Sequence, residues 1–146
     1  MAAPVKTKVL LVCMGNICRS SIAEGVLAKI LENSGLGNLV NVDSAGTHGF
    51  HAGEPPDPRA VAVAARHGYE IKSLRARKVR REDFSLFNLV LAMDRDNLAN
   101  LIESCPPVYQ SRVKLFLSYA RDIEFDEVPD PYYGGEAGFE AVLAMV

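Results

Sequence analysis

Two residues in the stretch VLLVCMGNICRSS, Cys13 and Arg19, bound a Cys-x5-Arg loop. Four apolar residues, Val9 to Val12, run straight into Cys13, and an apolar-periodic segment begins just after Arg19. That order predicts a buried strand, a tight loop and a helix start. A loop closing onto a helix N-terminus turns its backbone N–H groups inward, and the helix dipole adds positive potential. The residues Met14, Gly15, Asn16, Ile17, Cys18, Arg19 and Ser20 would then line a seat for an oxyanion. Gly15 is expected to take the backbone angle that such an anion nest requires. Arg19 offers a planar fork for two phosphate oxygens. The same field stabilises a thiolate on Cys13, which makes it a nucleophile for phosphoryl transfer. Alone, Cys-x5-Arg reads first as a buried strand-end cysteine and a surface arginine. The preceding strand, Gly15, Ser20, Ser21 and the helix that follows are what point to a phosphate loop.

The elements that must position these groups follow from periodicity and punctuation. Lys6 to Val12 reads as the first strand. A helix is predicted from about Ser20 to Asn33, with Ile22, Val26, Leu27, Ile30 and Leu31 at helical spacing and Gly35 and Gly37 as stops. Leu39 to Asp43 reads as a second strand, followed by a glycine-rich loop, 44–53. Asp57 is an N-cap with Pro58 at the first helical position, and that helix reaches about His67, with Gly68 beyond. The segment Glu70 to Arg81 is basic through Lys72, Arg75, Arg77, Lys78, Arg80 and Arg81, and reads as a docking patch or a solvated face. A short helix over Glu82 to Phe87 precedes a third strand, Leu89 to Met93. Asp94 caps the next helix, to about Glu103, and Pro106 and Pro107 end it. Lys114 to Tyr119 is the fourth strand, Arg121 to Gly135 a polar loop, and a last helix begins near Glu136.

Strands alternating with helices predict a three-layer α/β fold of the flavodoxin or Rossmann-like kind. Its centre is a four-stranded parallel sheet, order 2-1-3-4, with helices on both faces. Ligands in such sheets sit beyond the carboxyl ends of the strands, where the Cys13 loop leaves strand one.

With 146 residues the chain is expected to form a single domain, 1–146. Its hydrophobic fraction of 49% supports a core of that size. A formal charge of -2, from 16 basic and 18 acidic residues, gives no global signal for nucleic acid or a membrane surface. Met1 to Lys8 is polar and the apolar run after it is short, so no signal peptide is expected. Three cysteines do not make a disulfide framework, which favours a reducing, cytoplasmic setting. No Cys/His cluster has zinc spacing, so neither a metal nor another cofactor is expected.

The segments VLLVCMGNICRSSIAE, DSAGTHGFHAGEPPDPRAVAVAARHG, LAMDRDNL and DPYYGG together resemble the low-molecular-weight protein tyrosine phosphatases, in that family's order and over nearly the whole chain. The resemblance implies hydrolysis of phosphotyrosine and small aryl phosphates through a cysteinyl-phosphate on Cys13. Arg19 would clamp the phosphoryl oxygens, and Asp130 would serve as general acid and then base. Expected partners are a phosphotyrosine-containing protein or peptide, with phosphate or vanadate as inhibitor. On the residues alone, Asp130 competes with Asp126 and Glu127, and Asp-Pro is also an ordinary turn. Asn16, Ser20, Ser44 and His67 match residues that brace the phosphate loop in the family, although His67 also reads as a helix-end histidine. Asp94 reads either as an orienting partner for Arg19 or as an N-cap.

Ile17, Phe50, Tyr132 and Tyr133 fall where the family builds its cleft walls. Phe50 stands where the family commonly has Trp, which bears on substrate preference. Cys18 matches a cysteine that can protect the nucleophile as a disulfide, and equally reads as a small core residue. Cys105, His48 and His51 are expected to take no part in the chemistry. The family's last helix usually continues past the position matching Val146. Two alternatives on the same fold are an arsenate reductase, which needs further cysteines for a thiol relay, and a phosphoarginine phosphatase. A non-catalytic phosphotyrosine-binding module would lack the nucleophile or the acid.

Overall fold

The computed structural model describes residues 7–119 and 127–128. Strand β1 spans Thr7–Cys13 and helix α1 Arg19–Asn33. Strand β2 spans Val40–Gly46, helix α2 Pro58–Arg66 and the short helix α3 Asp83–Leu86. Strand β3 is Leu89–Ala92, helix α4 Arg95–Ser104 and strand β4 Val113–Leu115. All pairings are parallel, in the order β2-β1-β3-β4, as the alternation of strands and helices predicts.

β1 lies in the centre, and Leu10, Leu11 and Val12 are fully buried. Side chains alternate across a strand, so β1 feeds two cores. Val9 and Leu11 join Ile22 and Val26 of α1, Ala60 and Val63 of α2, and Ile71. Leu10 and Val12 join Phe84 of α3, Leu101 of α4, and Val113. These are the two outer layers of the expected three-layer fold. Cys13 falls on the α1 side by the same alternation.

Two strands end more than one residue away from where the sequence reading ends them. β2 continues to Gly46, three residues past Asp43, because it stays in register with β1 up to the pair Cys13–Gly46. Ser44 is thus a strand residue, fixed beside the loop. β4 is only three residues long, and Phe116–Tyr119 turns into a 3-10 helix. Its partner β3 ends at Ala92, which pairs with Leu115, so no β3 residue is left for Phe116 to pair with. The apolar pair Phe116–Leu117 mimics a strand without a partner to make one. Between α4 and β4, Pro107–Arg112 forms a 3-10 helix. The expected last helix from Glu136 lies outside the described residues.

Candidate active site

The carboxyl ends of β1 and β2 and the N-terminus of α1 converge on Cys13. Its side chain is buried, 3% exposed. The Asn16 amide donates to Cys13 Sγ at 3.3 Å, and Ser20 Oγ lies 3.1 Å from the same sulfur. The Ser20 oxygen already accepts from Asn16 Nδ2 at 2.9 Å, which leaves its proton available to the sulfur. The loop therefore curls around Sγ through its own amide and hydroxyl.

Gly15 does not take the unusual backbone angle. Asn16 does, with φ of 60°. Asparagine is the residue after glycine that best tolerates this region, because its short polar side chain can bond locally. Here it does so three times. Nδ2 donates to Ser20 Oγ and to Ser44 Oγ, each at 2.9 Å, and Oδ1 accepts from the Arg77 amide at 3.0 Å. Both amide hydrogens of Asn16 are engaged by these two hydroxyls. His67 is the exposed C-cap of α2. The third support comes from Arg77, whose guanidinium is itself anchored on Asp43 and the buried Asp83. Those two carboxylates raise the Arg77 pKa against the lowering effect of its burial.

Further contacts hold the loop from its other sides. Ser21 Oγ donates to the Asn16 carbonyl at 2.9 Å, and the Asp57 amide donates to the Ile17 carbonyl at 2.8 Å. The amides of Thr47 and His48 donate to the carbonyls of Cys13 and Met14. Gly46 makes this approach possible. A Cβ there would lie 2.6 Å from the Met14 carbonyl oxygen and 2.9 Å from that of His48. The His51 ring also touches the loop, 3.1 Å from where a Gly15 Cβ would be.

Sequence reasoning missed Glu24, one turn into α1. Its Oε1 accepts from Ser44 Oγ at 2.6 Å, extending the chain of bonds from Cys13 through Ser20, Asn16 and Ser44. Burial pushes its carboxyl above the usual range, with the Ser44 hydrogen bond opposing. A glutamate on a helix carries no local signal for this. Arg77 was hidden in the same way, inside a run of basic residues.

Arg19, the first residue of α1, is 2% exposed. Its Nη1 donates to Asp94 Oδ2 at 2.6 Å and to the Val128 carbonyl at 2.8 Å. Asp94 serves both roles left open by the sequence, since its Oδ1 accepts from the Asn97 amide and caps α4. Glu127 pairs with Arg95 instead, through the backbone amide at 2.8 Å and the side chain at 3.2 Å.

Of the predicted wall residues, Ile17 is buried in the α1-side cluster. Phe50 is 75% exposed and stacks on His48. Tyr132 and Tyr133 lie outside the described residues, as does Asp130. Cys18 is the N-cap of α1, buried in the same cluster as Cys13. Cys105 caps α4 in the cluster on the opposite face of the sheet, and its thiol pKa is raised by burial. A thiol relay from Cys13 to Cys105 would have to cross the sheet. Among the described residues, no group of His, Cys, Asp and Glu could hold a metal ion, and no helix is long and apolar enough to cross a membrane.

Residues 8–146 match the model of the family described as low molecular weight phosphotyrosine protein phosphatase. A low molecular weight protein-tyrosine-phosphatase of Streptomyces coelicolor is 46% identical over 142 residues, covering 95% of this chain and 86% of that protein. The human low molecular weight phosphotyrosine protein phosphatase is 38% identical over 143 residues, covering 97% and 90%. A crystal structure of a protein tyrosine phosphatase from Entamoeba histolytica, with Hepes in its active site, superposes with a TM-score of 0.93. It is 41% identical, over 96% of this chain and 89% of that one. That match over residues 8–146, with relatives 38% and 46% identical over most of their own length, shows that the chain belongs to the low molecular weight phosphotyrosine protein phosphatase family.

Proposed function

We propose that this chain, as a single catalytic domain, hydrolyses phosphotyrosine in proteins, and small aryl phosphates, in two steps. In the first, the Cys13 sulfur attacks phosphorus in line and the phenolate oxygen leaves. The loop amides and Arg19 hold the equatorial oxygens as charge redistributes over them. In the second, water displaces the sulfur and releases phosphate. The carrying observation is the convergence of the Asn16 amide and the Ser20 hydroxyl on Cys13 Sγ.

Asp130 is the proposed acid for the first step and base for the second. Support comes from its neighbours. The Val128 carbonyl accepts from Arg19, and Glu127 is occupied by Arg95. A positioned acid is typically worth about 10²–10⁴ in rate. Cys18 is the proposed redox guard. A peroxide would oxidise Cys13 to a sulfenic acid, and the Cys18 thiol would displace water from it to form a disulfide. That chemistry, and a thiolate nucleophile, fit a reducing cytoplasmic compartment.

Turnover of para-nitrophenyl phosphate and of phosphotyrosine, phosphoserine and phosphoarginine peptides tests the reading, with arsenate reduction measured in parallel. The expected result is hydrolysis of the aryl phosphates, abolished in Cys13→Ser while vanadate still binds. Preferential turnover of phosphoarginine, arsenate reduction, or near-wild-type activity of Cys13→Ser would overturn it.

A further inference from the structure

The basic segment singled out in the sequence is only partly absorbed by the site. Arg77 turns inward to Asp43 and Asp83. Lys78, Arg80 and Arg81 are exposed, and among the described residues no carboxylate pairs with any of them. All three line one cavity of about 410 Å³. Its floor is apolar, made by Val79, Phe84 and Leu101, and Thr47, Asn100 and Ser104 add neutral hydrogen-bonding groups. Glu103 is the single carboxylate on its lining, so the seat carries an excess of positive charge.

This cavity is tied to the phosphate loop by short backbone links. Thr47 donates to the Cys13 carbonyl, the Val79 amide donates to the Gly46 carbonyl, and Lys78 forms a parallel bridge with Gly46. The Lys78 stem passes alongside Gly49, with Cβ and Cδ each 3.7 Å from where a Gly49 Cβ would lie. Gly49 precedes Phe50 on the loop expected to wall the cleft.

We propose that Lys78, Arg80 and Arg81 form a docking subsite for acidic side chains flanking the phosphorylated residue of a protein substrate. The inference rests on the phosphatase reading of the Cys13 site and adds a substrate class to it. Three unpaired cations around a concave seat suit carboxylates, and the apolar floor suits the stems that carry them. A small aryl phosphate does not extend that far and should ignore the subsite. Exposed charges of this kind act on encounter and binding more than on the chemical step.

The test uses the full chain and two phosphotyrosine peptides, one with glutamates on both sides of the phosphotyrosine and one with glutamines. For the glutamate peptide, the double variant Lys78→Glu/Arg81→Glu should raise KM about 4- to 25-fold, from about two- to fivefold for each of the two lost exposed pairs, with kcat unchanged. Raising the salt concentration should shrink that difference. Constants for the glutamine peptide and para-nitrophenyl phosphate should stay within about twofold. Equal losses on all three substrates, or no loss on the glutamate peptide, would overturn the proposal. A second readout does not depend on turnover. The non-phosphorylated glutamate peptide should shift the amide NMR signals of Val79, Leu101 and Ser104 in the wild type and not in the double variant. Absent shifts would overturn the subsite, whereas shifts in a protein that fails to hydrolyse para-nitrophenyl phosphate would overturn only the phosphatase reading.

Discussion

Replacing Asn16 by alanine tests whether the loop is held open for phosphate by its own hydrogen bonds. Asn16 is 3% exposed, and its side chain makes three bonds, to Ser20, Ser44 and the Arg77 amide. A buried hydrogen bond is worth about 1 kcal/mol net, so losing three costs about 3 kcal/mol. Alanine at a φ of 60° adds about 1 kcal/mol of steric strain. The expected loss, about 4 kcal/mol, is a large share of the roughly 5–15 kcal/mol that a domain has. With a urea m-value of about 2 kcal/mol/M, the midpoint should fall by about 2 M. Asn16→Gly loses the same bonds without the strain, and should be about 1 kcal/mol more stable than Asn16→Ala. Both variants should lose vanadate affinity and turnover together, because both leave the loop unheld. Two results would refute the reasoning. One is an alanine variant within about 1 kcal/mol of wild type in urea. The other is a glycine variant less stable than the alanine one, which would mean that the backbone at residue 16 is not under strain.

Gly46→Ala should cost about 1–3 kcal/mol in thermal or urea unfolding and weaken vanadate binding, because its Cβ meets backbone carbonyls that cannot rotate away; unchanged affinity would show that the loop yields freely. Asp94→Asn separates the two duties of that side chain. Asparagine still caps α4, but it takes the carboxylate from the buried Arg19, so unfolding should lose about 3 kcal/mol and phosphate affinity and turnover should fall; a variant with intact stability and kinetics would remove Asp94 from the site. Glu24 supplies a pH dependence. Burial raises its carboxyl above the ordinary value of 4.5 in the folded state, so ionising it costs stability, and that cost is present at neutral pH and vanishes as pH falls below 4.5. Glu24→Gln, which can still accept from Ser44, should therefore be at least as stable as wild type at pH 7 and lose that advantage near pH 4 in paired urea titrations. A variant less stable than wild type at pH 7 would reverse the sign.

The sheet, its strand order and the position of Cys13 at the end of β1 were legible because each leaves a local mark. These marks are an apolar run, a capping aspartate before a proline, and a glycine after a helix. That the strands run parallel followed from the connections, since parallel strands must be joined across the sheet by helices. Gly15 illustrates what was not legible. A glycine in a tight loop is the natural candidate for a left-handed angle, yet the angle belongs to Asn16, because only a side chain with both donors and an acceptor can fix the loop to β2, α1 and Arg77 at once. Glu24 and Arg77 show the same limit. Partners far apart in sequence are chosen by how elements pack, and a glutamate or an arginine among other charged residues looks the same whether or not it reaches the loop.

The buried polar residues explain why so much of this network serves two purposes. Asn16, Arg19, Ser20, Ser44 and Asp57 are all buried, and each would be costly there without partners. They lie at the loop or bond to it, and they satisfy one another. Asp57 is the clearest case. Its amide holds the Ile17 carbonyl while its carboxylate accepts from the Arg59 amide and pairs with the Arg59 guanidinium. Burial alone would raise the Asp57 pKa, but those Arg59 contacts outweigh it and the net shift is downward. The carboxylate therefore stabilises the fold above the usual aspartate range, and that contribution is lost as pH falls through its lowered value. The N-terminus of α2 and the phosphate loop thus share one residue. A half-satisfied network would be worse than an apolar core, so the structure that keeps this end of the sheet folded is the same one that keeps the oxyanion seat formed before any substrate arrives.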